Sequence, residues 1–471
     1  MILKQFYLGC LSHASYLIAD EDTRVAVIVD PQRDVQQYLD EAKVRGLTIA
    51  HVVLTHFHAD FVAGHLELAH ATGATIHLGA RAKAEYPFHA WKEGEPLQFG
   101  KVRLDVLETP GHTPEGISIV VRDLAKDGGR PQAVLTGDTL FVGDVGRPDL
   151  MASVGVSAEE LAGMLYDSLH EKLLKLDDDV IVYPAHGAGS MCGKNLSSDT
   201  YSTIGAQRAT NLMLMPMTKA QFVKLATTDQ PPAPAYFAYD AKLNREKRAT
   251  LDDTLKQALR PLAFDELLAE QSKGALVLDV REPSAFQTSH LAGSLNIGLS
   301  GKFATWAGFL VQPTARIVLV ADLMRENEAA LRLGRVGFHG VAGFLRGGPA
   351  SLAAKPELLR RVERVEPAAM RERLAKGERE LVLDVRGPGE WSDFRIDGSL
   401  NVPLPELERR IAEIPRGKRI ALHCQSGYRS SIASGILLRH GITDFTDLVG
   451  GITAWRTAGL PTAGASAAAR G

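Results

Sequence analysis

Residues 275–299 read ALVLDVREPSAFQTSHLAGSLNIGL, and residues 380–404 read ELVLDVRGPGEWSDFRIDGSLNVPL. Asp279 falls on Asp384, Arg281 on Arg386, Gly293 on Gly398 and Asn296 on Asn401, all at one offset of 105. The apolar run ARIVLV then matches KRIALH at an offset of 103. A chain that repeats itself in this way contains two copies of one unit of roughly 100 residues. Short apolar runs bounded by Gly and Pro, with helix-like stretches between them, predict an α/β unit. Two copies are too few for a solenoid, so they read as duplicated domains, placed at 260–355 and 364–465.

The preceding half alternates strand-like runs (VAVIVD, AHVVLTH, VRLDVLETP, AVLTGD, DVIVYPAH) with helix-like ones such as DVQQYLDEAKVRG and SAEELAGMLYDSLHEKLLKL, which predicts a layered α/β domain over 1–245. The Pro-rich, polar run TTDQPPAPAYFAYDAKLNREKRAT reads as the closing segment of that domain running into a linker. Hydrophobic residues make up 45% of the 471, charged residues 23%, and the net charge is −3, so nothing in the balance points to nucleic acid or an anionic membrane. Cys10, Cys192 and Cys424 are odd in number and far apart, which argues against a disulfide framework and for a reducing, cytoplasmic setting. No basic signal-like start and no long uninterrupted apolar stretch is present, so no membrane span is expected.

In this first domain, ligand-type side chains stand at the carboxyl ends of apolar strands: His56 and His58 in LTHFHADFVAGH, His112 in TPGHT, Asp138 in LTGD and His186 in YPAHG. Strands of one sheet bring such ends to one crevice, so residues scattered over 130 positions can meet there. A lone H-x-H is commonly a surface or hydrogen-bonded pair. Five such side chains at four strand ends predict a metal site.

THFHADFVAGH, TPGHT, TGDTLF and YPAHG resemble the metallo-β-lactamase superfamily over about the first 240 residues. Dinuclear zinc hydrolases of that superfamily use T-H-x-H-x-D-H, and here Phe61 stands where the final His would serve a second metal. A mononuclear site follows as the simpler expectation. Two imidazoles and one carboxylate with open positions suit Fe(II) and dioxygen, whereas zinc hydrolysis generally needs one open position for water. Within the superfamily the pattern is similar to the persulfide dioxygenases, and the resemblance implies one Fe(II) per chain on His56, His112 and Asp138. It leaves His58, Asp60 and His186 to orient those ligands. GDVGRPDL is similar to a G-x-G-R-x-D segment of the same enzymes, so Arg147 either binds the carboxylate of a thiol cofactor or ties two loops together. Cys192, six residues after His186, is either a small buried side chain or a contact to substrate sulfur.

KRIALHCQSGYRSSIASGILLRHG reads as a strand, a short loop and a helix, with Cys424 opening the loop and Arg429 closing it. Successive backbone N–H groups of such a loop, set against a helix N-terminus, make a nest that holds negative charge on a sulfur. Gln425, Ser426, Gly427 and Tyr428 would line it. A phosphatase signature is also His-Cys, loop, Arg-Ser, but it has five residues between Cys and Arg, and here there are four. With LDVR, GSLNVP and LVGGITAWRTAGLP, this copy resembles a rhodanese, a sulfurtransferase working through a cysteine persulfide. Arg395 takes the place of the usual His of G-H-I-x-G, a change expected to alter packing more than chemistry. In the earlier copy Ala321 aligns with Cys424 and Asp322 follows it, so that copy reads as an inactive rhodanese domain.

The whole resembles bacterial fusions of a persulfide dioxygenase with an inactive and an active rhodanese. The resemblance implies a small-molecule thiol persulfide of the glutathione or coenzyme A type, O2, and sulfite or thiosulfate as partners, no nucleic acid or membrane, and homo-oligomers as a common state of such enzymes. A zinc thioester hydrolase of the glyoxalase II type and a non-enzymatic sulfur carrier stand as alternatives.

Overall fold

A computed structural model describes residues 1–150, 155–230, 233–376 and 380–465. The chain divides into two compact units, one formed by residues 1–254 with 333–338, the other by residues 255–332 and those from 339 onward.

The first unit is built on two six-stranded sheets. In one, β1 (Ile2–Leu8), β2 (His13–Ala19), β3 (Val25–Val29), β4 (Thr48–Val53), β5 (Thr75–Gly79) and β6 (His89–Trp91) lie in chain order. In the other, β7 (Leu97–Phe99), β8 (Val102–Glu108), β9 (Ile117–Asp123), β10 (Pro131–Gly137), β11 (Ile181–Pro184) and β12 (Ser202–Thr203) do the same. Alternate residues of β2, β3, β8 and β9, among them Tyr16, Ile18, Val27, Leu104, Val106 and Ile119, interlock between the sheets as one buried core. A second core, with Val120, Val134, Leu165, Leu169 and Phe222, joins the outer face of the second sheet to helices Ala158–Asp167 and Lys219–Thr227. This is the metallo-β-lactamase sandwich, helices outside two stacked sheets. Strands β3, β4 and β5 run parallel, as do β10 and β11, and the loops after β4 and β10 meet, with His56 3.7 Å from Asp138.

The second unit repeats one five-stranded, all-parallel plan twice. The repeated motif explains why. In each copy the arginine grips the aspartate two residues earlier: Arg281 Nε donates to Asp279 Oδ1 at 2.9 Å and Arg386 Nε to Asp384 Oδ1 at 3.0 Å. The asparagine of S-L-N then donates to the backbone carbonyls of that pair, Asn296 to Asp279 and Arg281, Asn401 to Asp384 and Arg386, at 2.9–3.0 Å. These groups bond to one another within each copy, so LDVR and SLN are framework. Where the first copy stacks His290 on Phe286 at 3.9 Å, the second lays the Arg395 guanidinium over Trp391 at 4.1 Å. The exchange is a local packing change, as the sequence suggests.

Among the described residues no helix is long and apolar enough to cross a membrane.

Candidate active sites

The loop after β4 carries His56, and the hydroxyl of Thr55 accepts a hydrogen bond from its Nδ1 at 3.0 Å while donating to Asp30 Oδ2 at 2.8 Å. His112 likewise donates from Nδ1 to the Arg147 carbonyl at 2.9 Å. Both imidazoles therefore turn Nε2, with its lone pair, to the same point. Asp138 Oδ2 lies 3.7 Å from His56 Nε2 and 3.5 Å from His112 Nε2, and among the described residues it has no hydrogen-bond donor. All three residues are buried. Burial holds His56 well below its ordinary pKa, keeping its imidazole neutral as a metal ligand must be. A buried, undonated carboxylate oxygen facing two oriented imidazoles fits a divalent metal ion, and the three ligand atoms lie within 4.8 Å of one another.

The other acid and histidine positions lie behind this trio. His186 donates from Nδ1 to Asp138 Oδ1 at 2.8 Å, and its Nε2 lies 3.0 Å from Asp60 Oδ2. Burial disfavours its charge, but the two carboxylates outweigh burial and hold its pKa well above the ordinary value. The Nδ1 bond ties His186 to the Asp138 carboxylate. His58 Nε2 sits 3.0 Å from Asp30 Oδ1. Phe61 packs its ring 4.1 Å from His13 and 4.4 Å from His58.

Arg147 is buried, donating from Nε and Nη2 to Asp149 at 2.7 Å each and from Nη1 to the Met191 carbonyl at 3.2 Å. These contacts tie Arg147 to Asp149 and to the loop that carries Met191. Cys192 is buried within reach of Asp138 and His186. Burial, then Asp60 and Asp138, push its thiol pKa well up, so it stays protonated.

Three contributors carry no sequence motif. Asp30, ending β3, holds Thr55 and His58; an acid closing an apolar strand parallel to the HVVLT strand is the signal that finds it. His13 lies buried against Phe61 and His186. Asn244 follows helix Tyr236–Leu243, in the run read as a closing segment and linker. Its amide donates to the carbonyls of His58 and Phe61 and accepts from Ala63 N–H, each at 2.8 Å, stapling the ligand loop. The helix is a buried part of the site, because Tyr236, Phe237, Ala241 and Leu243 supply an apolar, inward face between its polar residues.

A cleft of about 510 Å³ opens from His112. Phe57 and Phe237 line it, and Lys83, Lys242 and Arg245 stand around it with Glu85 and Glu246. Arg245 lies over the Phe57 ring at 5.1 Å.

In the second unit, strand Arg419–His423 ends at Cys424, which is buried. Gly427 N–H donates to its Sγ at 3.1 Å, and Ser430 Oγ lies 3.7 Å from it. The loop is held from behind: Ile452 N–H donates to the Cys424 carbonyl at 2.9 Å and Thr453 N–H to that of Gln425 at 3.0 Å. Gly451 makes this possible, since at φ 57° a Cβ there would meet the Cys424 carbonyl oxygen at 2.5 Å. Gln425 donates to Thr453 Oγ1 at 2.9 Å, and Ser426 is exposed at the mouth. Arg429 is paired in two-pronged fashion with Glu390, at 2.6 and 2.7 Å. In the first repeat Ala321 ends the corresponding strand, with Asp322 beside it.

The metallo-beta-lactamase superfamily model matches residues 8–186, and the rhodanese-like domain model matches 263–355 and again 366–458. A metallo-beta-lactamase of Staphylococcus aureus, solved at 2.1 Å, is 32% identical, with a TM-score of 0.64 over 73% of this chain and 98% of its own. The chain belongs to the metallo-β-lactamase superfamily, with two tandem rhodanese-like domains appended. Among curated proteins it is similar to the mitochondrial persulfide dioxygenase ETHE1 of Homo sapiens, 28% identical over 250 residues, 52% of this chain and 87% of that one. It is also similar to a hydroxyacylglutathione hydrolase of a Polaromonas species, 33% identical over 190 residues, 40% of this chain and 66% of that one.

Proposed function

We propose that this is a cytoplasmic persulfide dioxygenase joined to a sulfurtransferase, with its domains at 1–245, 260–355 and 364–465. The observation that carries the reading is the donor set: two Nε2-facing imidazoles and one carboxylate oxygen, with Phe61 in place of a further ligand. His56, His112 and Asp138 would hold one Fe(II), which supplies the dioxygen chemistry that no side chain provides. The overall conversion is R–S–SH + O2 + H2O → R–SH + SO3²⁻ + 2 H⁺.

The chain's own part is orientation and charge. Thr55 and the Arg147 carbonyl fix the two imidazoles, and His186 fixes the carboxylate. The thiol carrier lies in the cleft beside Phe57 and Phe237, where Lys83, Lys242 and Arg245 suit an acidic carrier of the glutathione or coenzyme A type. In the second unit Cys424 carries sulfane sulfur as a persulfide. Gly427 N–H donates to its sulfur, and the loop 425–428 surrounds the anion. Sulfite removes that sulfur as thiosulfate: Cys–S–S⁻ + SO3²⁻ → Cys–S⁻ + S2O3²⁻. The Ala321 copy has no cysteine at the corresponding position and carries no sulfur itself.

The test is oxygen consumption when a synthetic glutathione or coenzyme A persulfide is added to iron-loaded protein, with His112→Ala as control. Thioester hydrolysis with zinc and no oxygen consumption would replace this reading.

A further inference from the structure

The sulfur loop of the second repeat is not held by its own repeat alone. Tyr428 directly follows Gly427, the residue whose N–H reaches Cys424 Sγ, and it opens helix Tyr428–Arg439. Its hydroxyl donates to the Gly298 carbonyl of the first repeat at 2.6 Å. Its ring lies against Gly301, where an added Cβ would stand 2.5 Å from Cζ and 2.6 Å from Cε2, and a Cβ at Gly298 would stand 3.5 Å from Cε2. Neither glycine has a positive φ, so what they provide is room.

The segment under the ring is itself fixed. Arg332 donates to the carbonyls of Leu299 at 2.6 Å and Gly301 at 3.0 Å, and Ser300 Oγ donates to Glu282 at 2.9 Å. One turn along the same helix, Ser431 donates to Asn296 Oδ1 at 2.6 Å, so Asn296, whose amide clamps the first repeat's Asp-Arg pair, also anchors the second repeat. At the repeat's own offset, Gly298 and Gly301 correspond to Pro403 and Glu406. The active copy has no such seat, and the copy without a nucleophile has one.

We infer that residues 298–301 of the first repeat are a seat that sets the geometry of the Cys424 loop, with Tyr428 as the positioning residue. The inference rests on the sulfur-transfer reading and gives the inactive copy a role in it. Moving the Tyr428 side chain moves the N-terminus of its helix, and with it the Gly427 N–H that donates to Cys424 Sγ. The geometry of the nucleophile is thus set from a different repeat.

Three variants test it: Tyr428→Phe, Tyr428→Ala and Gly301→Ala, each checked for folding by its unfolding midpoint. Tyr428→Phe keeps the ring and loses one hydrogen bond, and lowers kcat/KM for transfer from thiosulfate to cyanide about fivefold, through kcat with KM held. Gly301→Ala lowers it by about tenfold or more, yet adds nothing in a Tyr428→Ala background, since the two act as one unit. The rate of Cys424 alkylation by iodoacetamide, followed by mass spectrometry, falls in the same order and reads loop geometry without turnover. Additive effects of Gly301→Ala and Tyr428→Ala, or Tyr428→Phe with wild-type kcat and alkylation rate, would overturn the inference. A wild-type protein that transfers no sulfur would overturn the sulfur-transfer reading instead, and the alkylation series would still decide the seat.

Discussion

His186 donates its Nδ1–H to Asp138 Oδ1 over 2.8 Å, which leaves Asp138 Oδ2 turned toward the Nε2 atoms of His56 and His112. In the proposed metal site the histidine would set which oxygen is free to bind the ion. His186→Ala is expected to weaken metal binding 10- to 100-fold, about the effect of losing an orienting partner. Competition with a chelator of known affinity measures it, and wild-type affinity in the variant would refute the role.

Phe61 fills a ligand position with carbon, against His13 at 4.1 Å. Phe61→His is expected to raise zinc content from one toward two per chain, beside Asp60 and His186. Elemental analysis after zinc loading checks this. A variant that still holds one zinc would show that something other than Phe61 limits the site.

Glu390 engages both outer nitrogens of Arg429 at 2.6 and 2.7 Å, fixing the side chain that closes the sulfur loop. Glu390 is 40% exposed, so solvent screens the pair and its loss is modest. Glu390→Gln is expected to lower sulfur-transfer kcat/KM about fivefold, the effect of about 1 kcal/mol. Steady-state kinetics with thiosulfate as donor would show it, and unaltered kinetics would mean that Arg429 needs no partner.

Asp447 is buried beside helix Tyr428–Arg439, and Gln287 Nε2 donates to it at 2.6 Å. Burial raises its pKa from 3.8 to about 6, against hydrogen bonds from Ser430 and Gln287 that lower it. Between these values the folded chain binds a proton that the unfolded chain has released. Its contribution therefore favours folding at low pH and is lost as pH rises through about 6. Asp447→Asn removes the cost of a buried carboxylate, and the second unit should gain stability at pH 7.5, by up to about 3 kcal/mol. Denaturant titrations at pH 5 and pH 7.5 measure it. A variant less stable than the parent at pH 7.5 would contradict the assignment.

What could be read from the sequence divides along physical lines. The rhodanese-like duplication was legible because its framework is local: Arg281 and Arg386 each grip an aspartate two residues away, so the motif survives as a short string. The ligand-type residues were legible because each ends an apolar strand. Asn244 was not, since it acts on His58 and Phe61 across more than 180 positions, from a polar run resembling a linker. Asp30 was hidden for the same reason, its partners being set by strand pairing. For Arg147 the sequence allowed two roles, and only the positions of Asp149 and Met191 show where the guanidinium goes.

The most direct test of the dioxygenase account is one experiment in which oxygen consumed and sulfite plus thiosulfate formed are measured together after adding glutathione persulfide to the iron-loaded protein. The account predicts one sulfite equivalent per O2, appearing partly as thiosulfate in the parent and as sulfite alone in Cys424→Ser, with neither oxygen loss nor product in His112→Ala. Oxygen consumption that survives in His112→Ala, or persulfide breakdown with no oxygen consumed, would contradict it.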